Sequence, residues 1–293
     1  MTGTSPPRTL TVLAVLLTIG SAATDVACFT RLGSVFASVM TSNIVFLGLS
    51  AAQHSGMLAV RASIAVAAYA IGVAAASRLA RTGQRAAGRT DGPGGSGRPG
   101  ATSGPGGTSG PGGTGRTGET PWSRWIAATL VTELLVLAVF TAGWEITGAK
   151  PQGRAQLLLL TVAAMAMGMQ SAVVAVMGIA GVSTTYLTGT LTALIDLLAT
   201  AGPRSGTSAD ARRAAALGAL VAGAGLSGLL LATAQAAVPA VPLVTVGGAL
   251  IAGSVWLRAG RRAGRGKVGG RAGGPAARVR ENRPGSPGAR GDI

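Results

Sequence analysis

Two stretches decide the fold: Asp25–Leu47, DVACFTRLGSVFASVMTSNIVFL, and Gln170–Leu194, QSAVVAVMGIAGVSTTYLTGTLTAL. Each starts on a polar residue late in a long apolar run, passes a glycine, and enters a second apolar segment with Ser and Thr near its start. Written one above the other, they pair Asp25 with Gln170 and Gly33 with Gly178. A two-residue insertion then pairs Thr41, Ser42 and Asn43 with Thr188, Gly189 and Thr190. Internal self-similarity of this kind marks a fold built from two copies of one unit.

Outward from these stretches, six runs are long and apolar enough to cross a bilayer: 9–29, 57–78, 124–146, 155–177, 212–236 and 239–258. Each supplies about 20 helical residues, the length that spans a hydrocarbon core of roughly 30 Å. The segments 34–52 and 181–200 are apolar but polar at their starts, and they follow the preceding run after a few residues. Composition agrees with the runs. Of 293 residues, 48% are apolar, 12% charged and 3% aromatic. Soluble domains carry about 25% charge, so a water-soluble monomer is excluded. Mean hydropathy is +0.47. The net charge of +16 sits between the apolar runs and in the C-terminal tail, so it reads as a topology signal and not as a nucleic-acid surface.

Residues 83–120 are rich in Gly, Pro, Ser and Thr, with a near-repeat of S-G-P-G-G-T. This composition buries too little apolar area to offset chain entropy, and it reads as a disordered linker. Residues 259–293 have the same character, and from Arg258 onward the chain carries ten Lys or Arg against Glu281 and Asp292. The basic tail reads first as a charged segment that fixes orientation, with contact to anionic lipid headgroups as the alternative. Arg8, the first apolar run and Ser21-Ala22-Ala23 imitate a signal peptide. The run is long for one and continues into another apolar stretch, so it reads as a first membrane helix.

The positive-inside rule then counts the crossings. Arg78, Arg81, Arg85, Arg89 and Arg124 flank the linker, and Arg258 opens the tail, so both are expected in the cytoplasm. Eight crossings would place an odd number between them. Six crossings, with 34–52 and 181–200 interrupted or re-entrant, put linker, tail and Arg8 on the cytoplasmic side. Seven, with only 181–200 re-entrant, satisfies linker and tail but puts Arg8 outside. Trp122, Trp125 and Trp144 bracket the third run as interfacial aromatics would. Gly218 with Gly223, and Gly247 with Gly253, suit close helix contact. With three crossings per half, the second unit is inverted relative to the first, and the domains read as 1–82, the linker 83–120, 121–258 and the tail 259–293.

Familiar chemistry finds little support. A single Cys, Cys28, permits no internal disulfide, and a single His, His54, excludes multi-histidine metal sites. No cofactor, metal site or catalytic group is expected, and the protein is not expected to be an enzyme. Asp25, Glu133 and Asp196 are the acidic residues inside apolar stretches. An intramembrane carboxylate costs about 2.5–3.5 kcal/mol on insertion scales and faces a polar cavity or partner. Asp25 either binds a proton or cation or caps the loose backbone of 34–52; for Glu133 and Asp196 a structural role is favoured. The candidate substrate or proton site comprises Asp25, Thr41, Ser42, Asn43, Gln170, Thr188, Gly189 and Thr190. Two opposed half-helix starts would there present N–H groups and hydroxyls to a solute, as in many inverted-repeat transporters.

The same residues resemble a known family, the YoaK family or domain of unknown function 1275 of bacterial integral membrane proteins. The likeness rests on Asp25 with Phe29, Leu32-Gly33-x-Val35-Phe36 and Met40-Thr41-Ser42-Asn43 in the first half. In the second it rests on Met167-Gly168-Met169-Gln170-Ser171 and the string from Gly181 to Thr192. It covers roughly residues 9 to 258 apart from the linker, and the family commonly has Gly at Ser42, Ala at Val26 and Asn at Ser171. The resemblance implies a multi-pass protein of the bacterial plasma membrane without an assigned activity.

Two function classes follow. The first is a secondary transporter or exporter of a small solute. The second is a non-transporting membrane scaffold whose tail binds partners or lipid. The inverted repeat and central polar residues favour the first; nucleic acid is not an expected partner of either.

Overall fold

The computed structural model describes residues 8–88, 124–177, 187–200 and 208–269, and these form helices and short connections. In chain order the helices are α1 (Arg8–Arg31), α2 (Met40–Ala52), α3 (Gly56–Gly88), α4 (Arg124–Ile146), α5 (Gly153–Val176), α6 (Leu187–Thr200), α7 (Ser208–Thr233) and α8 (Ala240–Gly269), with a 3-10 turn at Gln235–Ala237 before α8. Six are long and apolar enough to cross a membrane: α1, α3, α4, α5, α7 and α8. At 1.5 Å per residue, the 13 residues of α2 rise only about 20 Å, and α6 has 14. The six-run reading and the two short elements are therefore what the structure contains.

The outward faces are apolar. Leu135 is 64% exposed, Val221 71% and Ile251 65%, surfaces suited to acyl chains and not to water. α1 and α5 are the most enclosed of the spanning helices. Hydrophobic driving force is absent between helices in lipid, so their contact depends on small residues that let backbones approach. Gly72 of α3 lies against the Met165 carbonyl of α5, and Gly168 of α5 against the Tyr69 carbonyl of α3; a Cβ on either would collide with backbone. Gly223 of α7 meets the Ile19 carbonyl of α1 in the same way.

Contact registers fix directions. Arg61 near the start of α3 bonds Gln156 near the start of α5 at 2.8 Å, and Gly72 and Gly168 meet farther along both helices, so α3 and α5 run parallel. Gly223 with Ile19, and Ser227 with the Ala23 carbonyl at 3.0 Å, make α7 parallel to α1. Gln156 near the start of α5 donates to the Arg31 carbonyl at the end of α1 at 2.9 Å, so the two central helices are antiparallel.

Several sequence expectations need correction. α3 continues through Gly88, six residues into the stretch read as linker, because Gln84, Arg85, Ala86 and Ala87 are good helix formers; residues 89–123 lie outside the described residues. α8 runs on to Gly269, into the stretch read as tail, and residues 270–293 lie outside the description. The chain divides into one unit up to Leu257 and a second from Arg258. Trp144 is no interfacial side chain: it is fully buried beside Phe140 and donates its indole N–H to the Gln235 carbonyl at 3.0 Å. Trp125 is buried as well, and Trp122 is outside the described residues. Of the four glycines singled out for helix contact, Gly223 makes one, while Gly218 and Gly247 face open space.

Candidate functional site

The end of α1 shows how the sequence breaks the helix. Gly33, with φ +105°, takes the left-handed position after Arg31-Leu32, and the Ser34 N–H reaches back to the Phe29 carbonyl at 3.1 Å. This is the closure by which helices end on glycine. The Arg61 side chain lies over Gly33 where a Cβ would stand. Arg61 donates through Nη2 to Gln156 Oε1 at 2.8 Å, and Gln156 in turn holds the Arg31 carbonyl, so one network ties α1, α3 and α5 at this end of the bundle.

Beyond the turn the chain folds back along α1. Asp25 lies nearly two turns before Arg31, about 9 Å down the axis. Its Oδ1 accepts the N–H groups of Ala37 and Ser38, both at 2.8 Å, and its Oδ2 accepts the Ser38 hydroxyl. Residues 35–39 have no ladder or helical partner for these donors, and Asp25 supplies the acceptor that buried N–H groups require. Asn43 does the same one turn into α2: its Oδ1 accepts Phe36 N–H at 3.0 Å and its Nδ2 donates to the Phe36 carbonyl at 2.7 Å. Phe36 stacks between Phe29 and Phe46, with centroids 5.1 and 6.2 Å apart. α2 then climbs back and closes at His54, φ 52°, with Ser55 N–H bonded to the Ser50 carbonyl at 3.0 Å. Residues 32–52 thus enter the bundle and leave it at the same end, a re-entrant excursion lying on α3.

The first turn of α2 has no side-chain cap. Helix starts leave N–H groups without intrahelical partners and carry the positive end of the dipole. Thr41 is exposed and Ser42 half-buried beside this end. At α6, Gly189 is exposed and Thr190 buried; the side chain of Thr188 and residues 178–186 lie outside the description. The principal contacts of α2 are with α3 and those of α6 with α7.

Gln170, which the sequence alignment pairs with Asp25, takes a different partner. Its Nε2 donates to Glu133 Oε1 of α4 at 3.1 Å. Glu133 is fully buried in the stripe Ile126, Leu130, Glu133, Leu137, Phe140 and Trp144, and its Oε2 has no hydrogen-bond partner. Sequence reasoning set Glu133 aside as structural, although its place in this four-three spacing marked it as facing the bundle. Asp196 sits on an exposed face of α6. Among the described residues no three His, Cys, Asp or Glu side chains gather as a metal site would require.

Six spanning helices around a re-entrant segment define a polytopic helical membrane protein. The chain belongs to the family described as Protein of unknown function (DUF1275), which it matches over residues 13–252. Nothing among curated proteins and nothing among solved structures matches it.

Proposed function

We propose that the protein is a secondary transporter or exporter of a small solute in the bacterial plasma membrane, with linker and termini in the cytoplasm. The observation that carries this reading is the re-entrant segment 32–52, whose irregular backbone is held inside the bundle by Asp25 and Asn43. Irregular backbone at membrane depth is tolerated where it is buried in protein or lines a cavity. Element lengths support a repeat: α1 and α5 each have 24 residues, and α2 and α6 have 13 and 14. Helix starts at Met40 and Leu187 fall in the insertion-corrected register of the sequence alignment.

The packing supports an inverted repeat. α3 runs along α5 as α7 runs along α1, while α1 and α5 oppose each other. Inverted repeats with broken helices near the pseudo-twofold bind substrate between the two units. In this reading the solute meets the polar start of α2 at Thr41 and Ser42 and the corresponding start of α6 at Thr188, Gly189 and Thr190. No enzymatic step is part of it. The basic continuation of α8 and the tail would rest on anionic headgroups.

The test is flux. Purified protein in proteoliposomes, preloaded with a library of small metabolites, releases one chemical class, and Asn43→Leu, which unclamps Phe36, slows that release. Retention of every class by folded, inserted protein overturns the proposal.

A further inference from the structure

The two intramembrane carboxyls at the centre of the bundle differ in how their oxygens are used. Asp25 collects three donors on its own loop. Glu133 has one, the Gln170 amide, and its Oε2 is buried with nothing to accept from or donate to. Its neighbours along the buried face of α4 are Thr129, Leu130 and Leu137, and the Thr129 hydroxyl is already bonded to the Trp125 carbonyl at 2.8 Å. α4 packs on α5 and α3. The titratable side chains described on those helices are Arg154 in the first turn of α5 and Arg61, Tyr69, Arg78 and Arg81 on α3, with Glu145 near the end of α4 itself. Arg61 is engaged with Gln156, and Tyr69 is the one among them whose backbone meets α5 at the level of Gln170, beside Gly168. Glu133 has no cationic partner among the described residues.

A charge with one hydrogen bond and no counter-ion is the costly case for a buried carboxylate. A structural carboxyl would be expected to gather donors as Asp25 does. Glu133 instead keeps one oxygen free beside an amide that can turn: Gln170 offers Nε2 to a carboxylate and can offer Oε1 to a carboxylic acid O–H.

We propose that Glu133, held by Gln170, is a reversible proton-binding site in the membrane interior. The O–H bond forms at a carboxylate oxygen with a proton taken from water on one side of the membrane. It breaks when the proton returns to water, and no other reactant is needed. If the protein transports, and this clause alone rests on the transport reading, Glu133 and not Asp25 is the coupling carboxyl.

Infrared difference spectra of the reconstituted protein test this. The carbonyl stretch of a protonated carboxylic acid is expected in wild-type protein at mildly acidic pH, lost on raising the pH, absent in Glu133→Gln and retained in Asp25→Asn. A second measurement uses wild-type protein alone: dicyclohexylcarbodiimide, an apolar reagent for carboxylic acids, should modify the peptide containing Glu133, with a yield that falls as pH rises. A carboxylic acid band that ignores pH, or its absence throughout, overturns the proposal. So does a band removed by sodium ions at constant pH, which would mark a metal-cation site. Titration of Glu133 in a protein that moves no solute would keep the proton site and overturn the transport reading. Solute flux with no titrating Glu133 would do the reverse.

Discussion

Replacing Asp25 tests how the re-entrant segment is held. Asp25→Ala removes the acceptor for two buried backbone N–H groups, Ala37 and Ser38, and for the Ser38 hydroxyl. A buried donor left without a partner costs about 1–3 kcal/mol. The two amides together should therefore lower stability by about 2–6 kcal/mol, counting the hydroxyl as free to rotate to another acceptor. Asp25→Asn keeps an oxygen in place for both amides and can turn its own amide toward the Ser38 hydroxyl, so its cost should stay near 1 kcal/mol. Thermal melting of detergent-purified protein, followed by aggregation-resistant elution on size exclusion, ranks wild type above Asn and Asn well above Ala. Limited proteolysis of the Ala variant should open first within 33–39. Equal melting of the Ala and Asn variants would refute the reasoning, because the segment would then not depend on Asp25 as an acceptor.

Gly168→Val should abolish accumulation of folded protein, since its Cβ meets the Tyr69 backbone carbonyl and neither helix can retreat from the α3–α5 contact; expression and monodispersity in detergent check this, with Gly218→Val, at an open position, as the tolerated control. Single cysteines at Ser103 and Ser286 in a Cys28→Ala background should both be protected from an impermeant thiol reagent in intact cells. Labelling of one and not the other would contradict an even number of crossings between linker and tail.

The spanning helices were legible because membrane thickness imposes a length, and six runs meet it independently of how they pack. The break after Leu32 was legible for a local reason, since Gly33 can take the left-handed conformation that ends a helix, whereas the re-entrant path of 34–52 was legible from the basic residues flanking linker and tail. Other features depend on facts that no single segment carries. Gly72 and Gly168 are contact points because of which faces of α3 and α5 meet, and with 47 glycines in the chain their spacing stands out from nothing. The Glu133–Gln170 bond joins two helices across a connection, and each residue alone reads as an isolated polar group in an apolar run. Trp144 was misread because an aromatic near a run's end looks the same whether it faces headgroups or, as here, the Gln235 carbonyl.

Water access to the start of α2 tests the transport reading most directly. A single cysteine at Ser42, half-buried in the first turn of α2, placed in a Cys28→Ala background, can be challenged with an impermeant thiol reagent in right-side-out and in inside-out vesicles. A carrier that opens its centre alternately to the two sides predicts reaction from both, slowed from each by the transported solute. Reaction from neither side, in protein that is folded and fully labelled after denaturation, would contradict the account.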